Sequence, residues 1–199
     1  MRLPNTEHTS RPWRIHEIVP DFRLEDVWEL PTPGGPDDFG RLVEGTAASD
    51  PTGNPSPIVR FLFAARWKLG ELLGWDKESD GVGSRVRTLR DRLPADLREG
   101  RRGPDFATLP FTSLYLLDDE WAAEIANRTM HGVMHMSWVQ GADGAYCGRM
   151  AVYVKPNGVF GTLYMAAIKP FRHLLVYPAM IRHVDRRWRS QADPAVPGG

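Results

Sequence analysis

Met130-His131-Gly132-Val133-Met134-His135-Met136-Ser137-Trp138-Val139 and, past residues 141–144, Ala145-Tyr146-Cys147-Gly148-Arg149-Met150-Ala151-Val152-Tyr153-Val154-Lys155 form the stretch on which the fold turns. Both runs alternate with period two. Gly141-Ala142-Asp143-Gly144 between them has turn chemistry, so together they read as a β-hairpin. Upstream, residues 113–117 and 120–127 keep the same period and read as two more consecutive strands. Downstream the period lengthens. Phe160, Leu163, Tyr164, Ala167, Phe171, Leu174, Leu175, Ile181, Val184 and Trp188 recur at helical spacing and predict one long helix over 158–189. Pro170 and Pro178 each remove a backbone donor inside it, so each should bend or break it.

The N-terminal half is less regular. Residues 13–19 read as a first strand, with Ile15 between polar Arg14 and His16 and Pro20 as its end. Residues 24–30 read as a short helix. Pro36 suits a first helical position, with Asp37 and Asp38 in the turn where a positive helix end favours them. Residues 50–57 hold three prolines and read as a loop. Ser56 caps a further helix, in which Ile58, Phe61, Leu62, Ala65, Leu69, Leu72 and Leu73 share a face and Gly74 is the stop. Residues 76–105 form a polar excursion with short helical turns. The order is strand, helices, antiparallel meander, long C-terminal helix. It argues for an α+β fold in which one curved sheet wraps the last helix. One domain over 11–190 with flexible tails at 1–10 and 191–199 is expected.

Composition supports an ordinary globular chain. Hydrophobic residues at 42% and charged residues at 25% over 199 positions exclude a disordered or fibrous protein. Equal numbers of basic and acidic residues, 25 each, argue against a whole-surface nucleic-acid binder. The single cysteine, Cys147, excludes an internal disulfide and a cysteine-based zinc site. The first ten residues lack an apolar leader segment and no window reads as a membrane span, so a cytoplasmic location is expected.

Strand parity separates two faces. Met130, Gly132, Met134, Met136 and Trp138 form the more apolar side of their strand and are expected to face the core. His131, Val133, His135, Ser137 and Val139 lie opposite. With Glu120, Glu124 and Arg149 they are expected on one solvated outer face, where cross-strand pairs of opposite charge fit. His131 and His135 have the spacing of a helical metal pair. In a strand they stand about 13 Å apart, too far to share one ion. Residues 81–86 begin like a dinucleotide loop but lack its last glycine and follow no apolar strand. Asp118, Asp119 and Glu120 read as a turn rather than a cation site. No metal or cofactor is therefore expected.

Tyr115, Trp121, Met134, Trp138, Tyr146 and Met150 on the sheet, with Tyr164 and Phe171 on the helix, are the candidate lining of an apolar cavity. Adaptable methionines and aromatics suit a dry ligand pocket and equally suit a plain core. From Lys155 onward seven basic and two acidic side chains give a net charge of +5. A solvated helix end explains that excess, as does a basic amphipathic helix touching anionic lipid.

Two segments carry a family resemblance. One is Asn127-Arg128-Thr129-Met130-His131-Gly132-Val133-Met134-His135. The other is Lys155-Pro156-Asn157-Gly158-Val159-Phe160-Gly161, running into Tyr164-Met165-Ala166-Ala167-Ile168-Lys169-Pro170-Phe171-Arg172-His173. They resemble a bacterial domain-of-unknown-function family that also occurs behind NAD(P)-binding oxidoreductase domains. That family is similar to the START/polyketide-cyclase-like (SRPBCC) superfamily with its helix-grip fold. The resemblance implies a curved antiparallel sheet gripping a C-terminal helix over an apolar cavity, and a possible NAD(P)-binding oxidoreductase partner. Three functions follow as expectations. The first is binding of an apolar or amphipathic small molecule. The second is a cyclase or hydrolase in the same cavity, using His131 or His135 with Tyr153 or Arg149, which requires the histidine face to be the internal one. The third is a module docking on a membrane surface or a partner through the C-terminal helix.

Overall fold

The computed structural model describes residues 1–49, 82, 86–127 and 129–192, without the side chains of Phe160, Tyr164, Phe171, Leu175 and Ala192. The helix expected over 56–74 and most of the Gly81 to Val86 stretch lie outside these residues. In chain order the elements are β1 (Arg2–Leu3), α1 (Thr6–Thr9), α2 (Ile15–Ile18), β2 (Arg23–Glu29) and α3 (Phe39–Ala47). A 3-10 turn (Leu89–Arg92) and α4 (Ala95–Glu99) follow. Then come β3 (Thr112–Leu116), β4 (Glu120–Ala126), β5 (Met130–Gln140) and β6 (Tyr146–Pro156). The chain closes with α5 (Gly158–Phe171), a π-helical turn (Arg172–Val176) and α6 (Tyr177–Ala192).

The fold is α+β, built on a six-stranded antiparallel open sheet of order β1-β2-β6-β5-β4-β3. The meander β3 to β6 runs as its period predicted. β5 and β6 pair from Met130↔Pro156 to Gln140↔Tyr146 through the expected hairpin. β2 lies against the last strand, β6, and so closes the sheet between its earliest and latest parts.

Two N-terminal expectations are overturned. Residues 13–19 hold a helical turn, α2, because Ile15 and Ile18 stand one turn apart and both are fully buried. Residues 24–30 form a strand, not a helix. Leu24, Val27 and Trp28 mimic helical spacing because β2 is buried on both faces, which defeats simple alternation. The first ten residues, expected as a tail, carry β1 and α1, and His8 is buried.

Both sheet faces are covered, giving three layers. On one face Trp13, Ile15, Ile18, Phe22, Leu89, Leu93 and Leu97 pack on Val27, Leu114, Ala122, Val133 and Tyr153. On the other, α3 and α6 bring Phe39, Leu42, Val43, Tyr177 and Trp188 onto Trp28, Met134, Met136, Trp138 and Met150. The long C-terminal helix is interrupted by the π turn between Pro170 and Pro178, as lost backbone donors require. α5 starts hard against the β4–β5 turn. A Cβ at Gly161 would stand 2.1 Å from the Thr129 carbonyl oxygen, so only glycine fits there.

Candidate functional site

Five of the eight cavity candidates share the sheet face beneath α3 and α6: Trp121, Met134, Trp138, Tyr146 and Met150. Trp138 donates from Nε1 to the Gly35 carbonyl at 2.9 Å and packs against Phe39, Tyr146 and Trp188. Trp121 donates to Ser113 Oγ at 2.7 Å and stacks on Phe106 with ring centres 5.5 Å apart. Beside Phe106 a recess of about 380 Å³ is walled by Asp105, Leu109, Pro110, Phe111 and Thr112. Tyr115 is not in this group. A register shift between Ser113 and Tyr115 accompanies its turn to the opposite face, among the N-terminal residues. The side chains of Tyr164 and Phe171 lie outside the described residues.

A polar cluster that the sequence did not reveal sits in the same apolar layer. Asp26 is fully buried on the Trp28 side of β2, with Arg172 Nη2 at 3.2 Å, His173 Nε2 at 3.0 Å and Arg2 at 3.4 Å. Arg172 also donates to the Tyr177 hydroxyl. Burial pushes the Tyr177 phenol up to about 12, against the opposing pull of Arg172. Burial lowers His173, opposed by Asp26 and reinforced by Arg2, Arg172 and Lys169. Two buried donors, Arg172 Nη1 and Trp28 Nε1, have no hydrogen-bond partner among the described residues. The cluster therefore holds two guanidinium groups against one carboxyl, with donors to spare.

The face expected to be solvated is buried. His131, His135, Ser137, Glu120 and Glu124 are all at most 5% exposed, because α1, α2 and the 3-10 turn roof them over. The histidines and glutamates do share one face, and each pairs across the strands. His135 Nε2 lies 3.1 Å from Glu120 Oε2, and His131 Nε2 lies 2.8 Å from Glu124 Oε2. Glu120 also accepts from the Tyr115 hydroxyl at 3.1 Å and from the Arg14 backbone N–H at 3.0 and 3.1 Å. Burial alone would raise the Glu120 carboxyl, but these donors, His135 first, hold it below its ordinary value.

An ionised Glu120 can only accept, so the proton of a neutral His135 sits on Nε2. His135 Nδ1 then presents a lone pair, buried and without a donor among the described residues. Around it stand His8, with ring centres 5.0 Å apart, and Trp13 at 5.8 Å. His16 Nδ1 meets the Tyr153 hydroxyl at 3.1 Å. Arg149 instead reaches Glu7 at 3.2 Å. A histidine oriented by a carboxylate has the makings of a general base. Among the described residues no three histidine, cysteine or acidic side chains converge to hold a metal ion.

Residues 18–179 match the model of a family described as "Protein of unknown function (DUF2867)". No curated protein and no solved structure matches the chain.

Proposed function

The chain belongs to the DUF2867 family, and we propose that it binds an apolar or amphipathic small molecule between the sheet and its C-terminal helices. The observation that carries this reading is the Asp26–Arg172–His173–Tyr177 cluster, set in a layer otherwise made of aromatics and methionines. Ligand sites combine such apolar walls with a few convergent polar groups. The spare donors at Arg172 and Trp28 suit a ligand whose polar end accepts hydrogen bonds. The strand order adds support. The second strand, β2, pairs with the last, β6, and the C-terminal helices cross the face of the sheet, as in a helix-grip, START-like arrangement. The π turn at Arg172–Val176 is the kind of helix irregularity found at functional sites. Redox chemistry on the held molecule would fall to an NAD(P)-binding partner.

Displacement of 8-anilinonaphthalene-1-sulfonate by fatty acids of rising length tests this. One-to-one displacement is expected, with affinity rising about fourfold per added CH₂ as apolar surface is buried. Arg172→Gln should weaken dodecanoate about tenfold or more, the worth of a hydrogen bond to a charged group, and leave dodecanol unchanged. Failure of every chain length to displace the dye removes the reading.

A second reading, a hydrolase- or cyclase-like activity on the opposite face, rests on His135 Nδ1, which has no hydrogen-bond partner among the described residues. It requires ester hydrolysis that disappears in His135→Gln and falls in Glu120→Gln. A wild-type rate equal to that of His135→Gln excludes it.

A further inference from the structure

The C-terminal helix carries a row of apolar side chains that stays exposed among the described residues. Apart from Met1, the exposed large apolar side chains among the described residues are Val159, Leu163 and Leu174, at 78%, 65% and 74%. Spacings of four and eleven put all three on one side of the helix. Ala166, Ala167 and Pro170, also exposed, fill the row between them. Soluble proteins seldom leave such a continuous apolar strip to water, and those that do commonly use it for docking.

Charge selects the occupant. No acidic residue occurs between Gly158 and Val184, while Lys169, Arg172 and Arg182 lie in that span. Arg182 and Arg186 are exposed one turn apart on α6. A second copy of this chain would set like charges against each other across a two-fold axis. A surface dense in negative charge over an apolar interior meets both the row and its cationic continuation. Among the described residues no helix is long and apolar enough to cross a membrane, so contact would be peripheral.

We propose that this face of α5 and the π turn lies on an anionic membrane surface, with Val159, Leu163 and Leu174 at the acyl boundary and Arg182 and Arg186 of α6 among the headgroups. This docking is independent of the ligand reading, since it uses the outer side of the helix and not the layer beneath it. A held amphipathic molecule could nonetheless be exchanged with the bilayer from this position.

Co-sedimentation of the full chain with phosphatidylcholine vesicles, with and without phosphatidylserine, tests the proposal. Binding is expected only with phosphatidylserine and should weaken as salt rises. Leu163→Asp with Leu174→Asp should abolish it. Arg182→Gln with Arg186→Gln should weaken it about 30-fold, at about fivefold per cation lost. All four positions are exposed, so thermal melting should stay unchanged and a folding defect is told apart from lost docking. The proposal falls if phosphatidylserine vesicles do not bind, or if both lipids bind alike at any salt. It falls equally if the aspartate variant binds like wild type. Dimerisation in analytical ultracentrifugation that the aspartate pair dissolves would assign the face to a second copy. A wild-type chain that displaces with dodecanoate as expected but does not bind phosphatidylserine vesicles would overturn the docking alone.

Discussion

Replacing Glu124 by alanine is expected to destabilise the fold by about 3–5 kcal/mol, the range for removing one member of a buried pair. The Glu124 carboxyl is fully buried and serves three groups. It meets His131 Nε2 at 2.8 Å, accepts from the Leu89 backbone N–H at 3.1 and 3.3 Å, and accepts from the Thr88 hydroxyl. Alanine leaves the Leu89 N–H and His131 without their partner, at about 1–3 kcal/mol for each buried group left unsatisfied. The same carboxyl seats the start of the 3-10 turn, whose Leu89 and Leu93 belong to the N-terminal core. Urea unfolding measures the loss. Glu124→Gln, which keeps an acceptor, should cost less. A loss under about 1 kcal/mol for the alanine variant would show that this segment is held by its leucines alone.

Acidification is expected to loosen the N-terminal layer well before carboxylates titrate. Burial, aided by the nearby His135, His16, Arg149 and Arg11, lowers His8 from its ordinary 6.5 to about 2. Burial lowers His135 also, opposed by its bond to Glu120. A histidine whose folded pKa is depressed binds more protons when unfolded. Its stabilising contribution is therefore complete above pH 6.5 and declines as pH falls toward the folded value. For His8 alone the decline is about 1.4 kcal/mol per pH unit, or roughly 2 kcal/mol between pH 7 and pH 5. His135 adds in the same direction. The Glu120 carboxyl, also lowered, prolongs the loss below about pH 4.5. Urea midpoints at pH 7, 6 and 5 should fall steadily, and less steeply in His8→Gln. Equal midpoints at all three would show that these rings take up protons in the folded state as readily as free histidine.

The antiparallel meander, its hairpin and the proline-broken C-terminal helix were legible because each repeats one period over enough residues to be unmistakable. In β5 the parity of Met134, Met136 and Trp138 against His131 and His135 separated the two faces correctly. What alternation could not tell is whether the polar face is wet. That depended on α1, α2 and the 3-10 turn folding over it, and on strand register placing a carboxyl beside each histidine. A polar face can be buried when every charge finds a partner, and the partners come from other strands. β2 and α2 were exchanged for the related reason that four to seven residues carry too short a pattern to fix a period. The cluster around Asp26 lies furthest from local sequence, since Arg172 stands 146 residues away along the chain. Local pattern determined which segments bury an apolar side and with what periodicity. Only closure of β2 against β6, and of the C-terminal helices across them, decided which polar groups meet in the dry layer, because that meeting is set by packing between segments and not within any one of them.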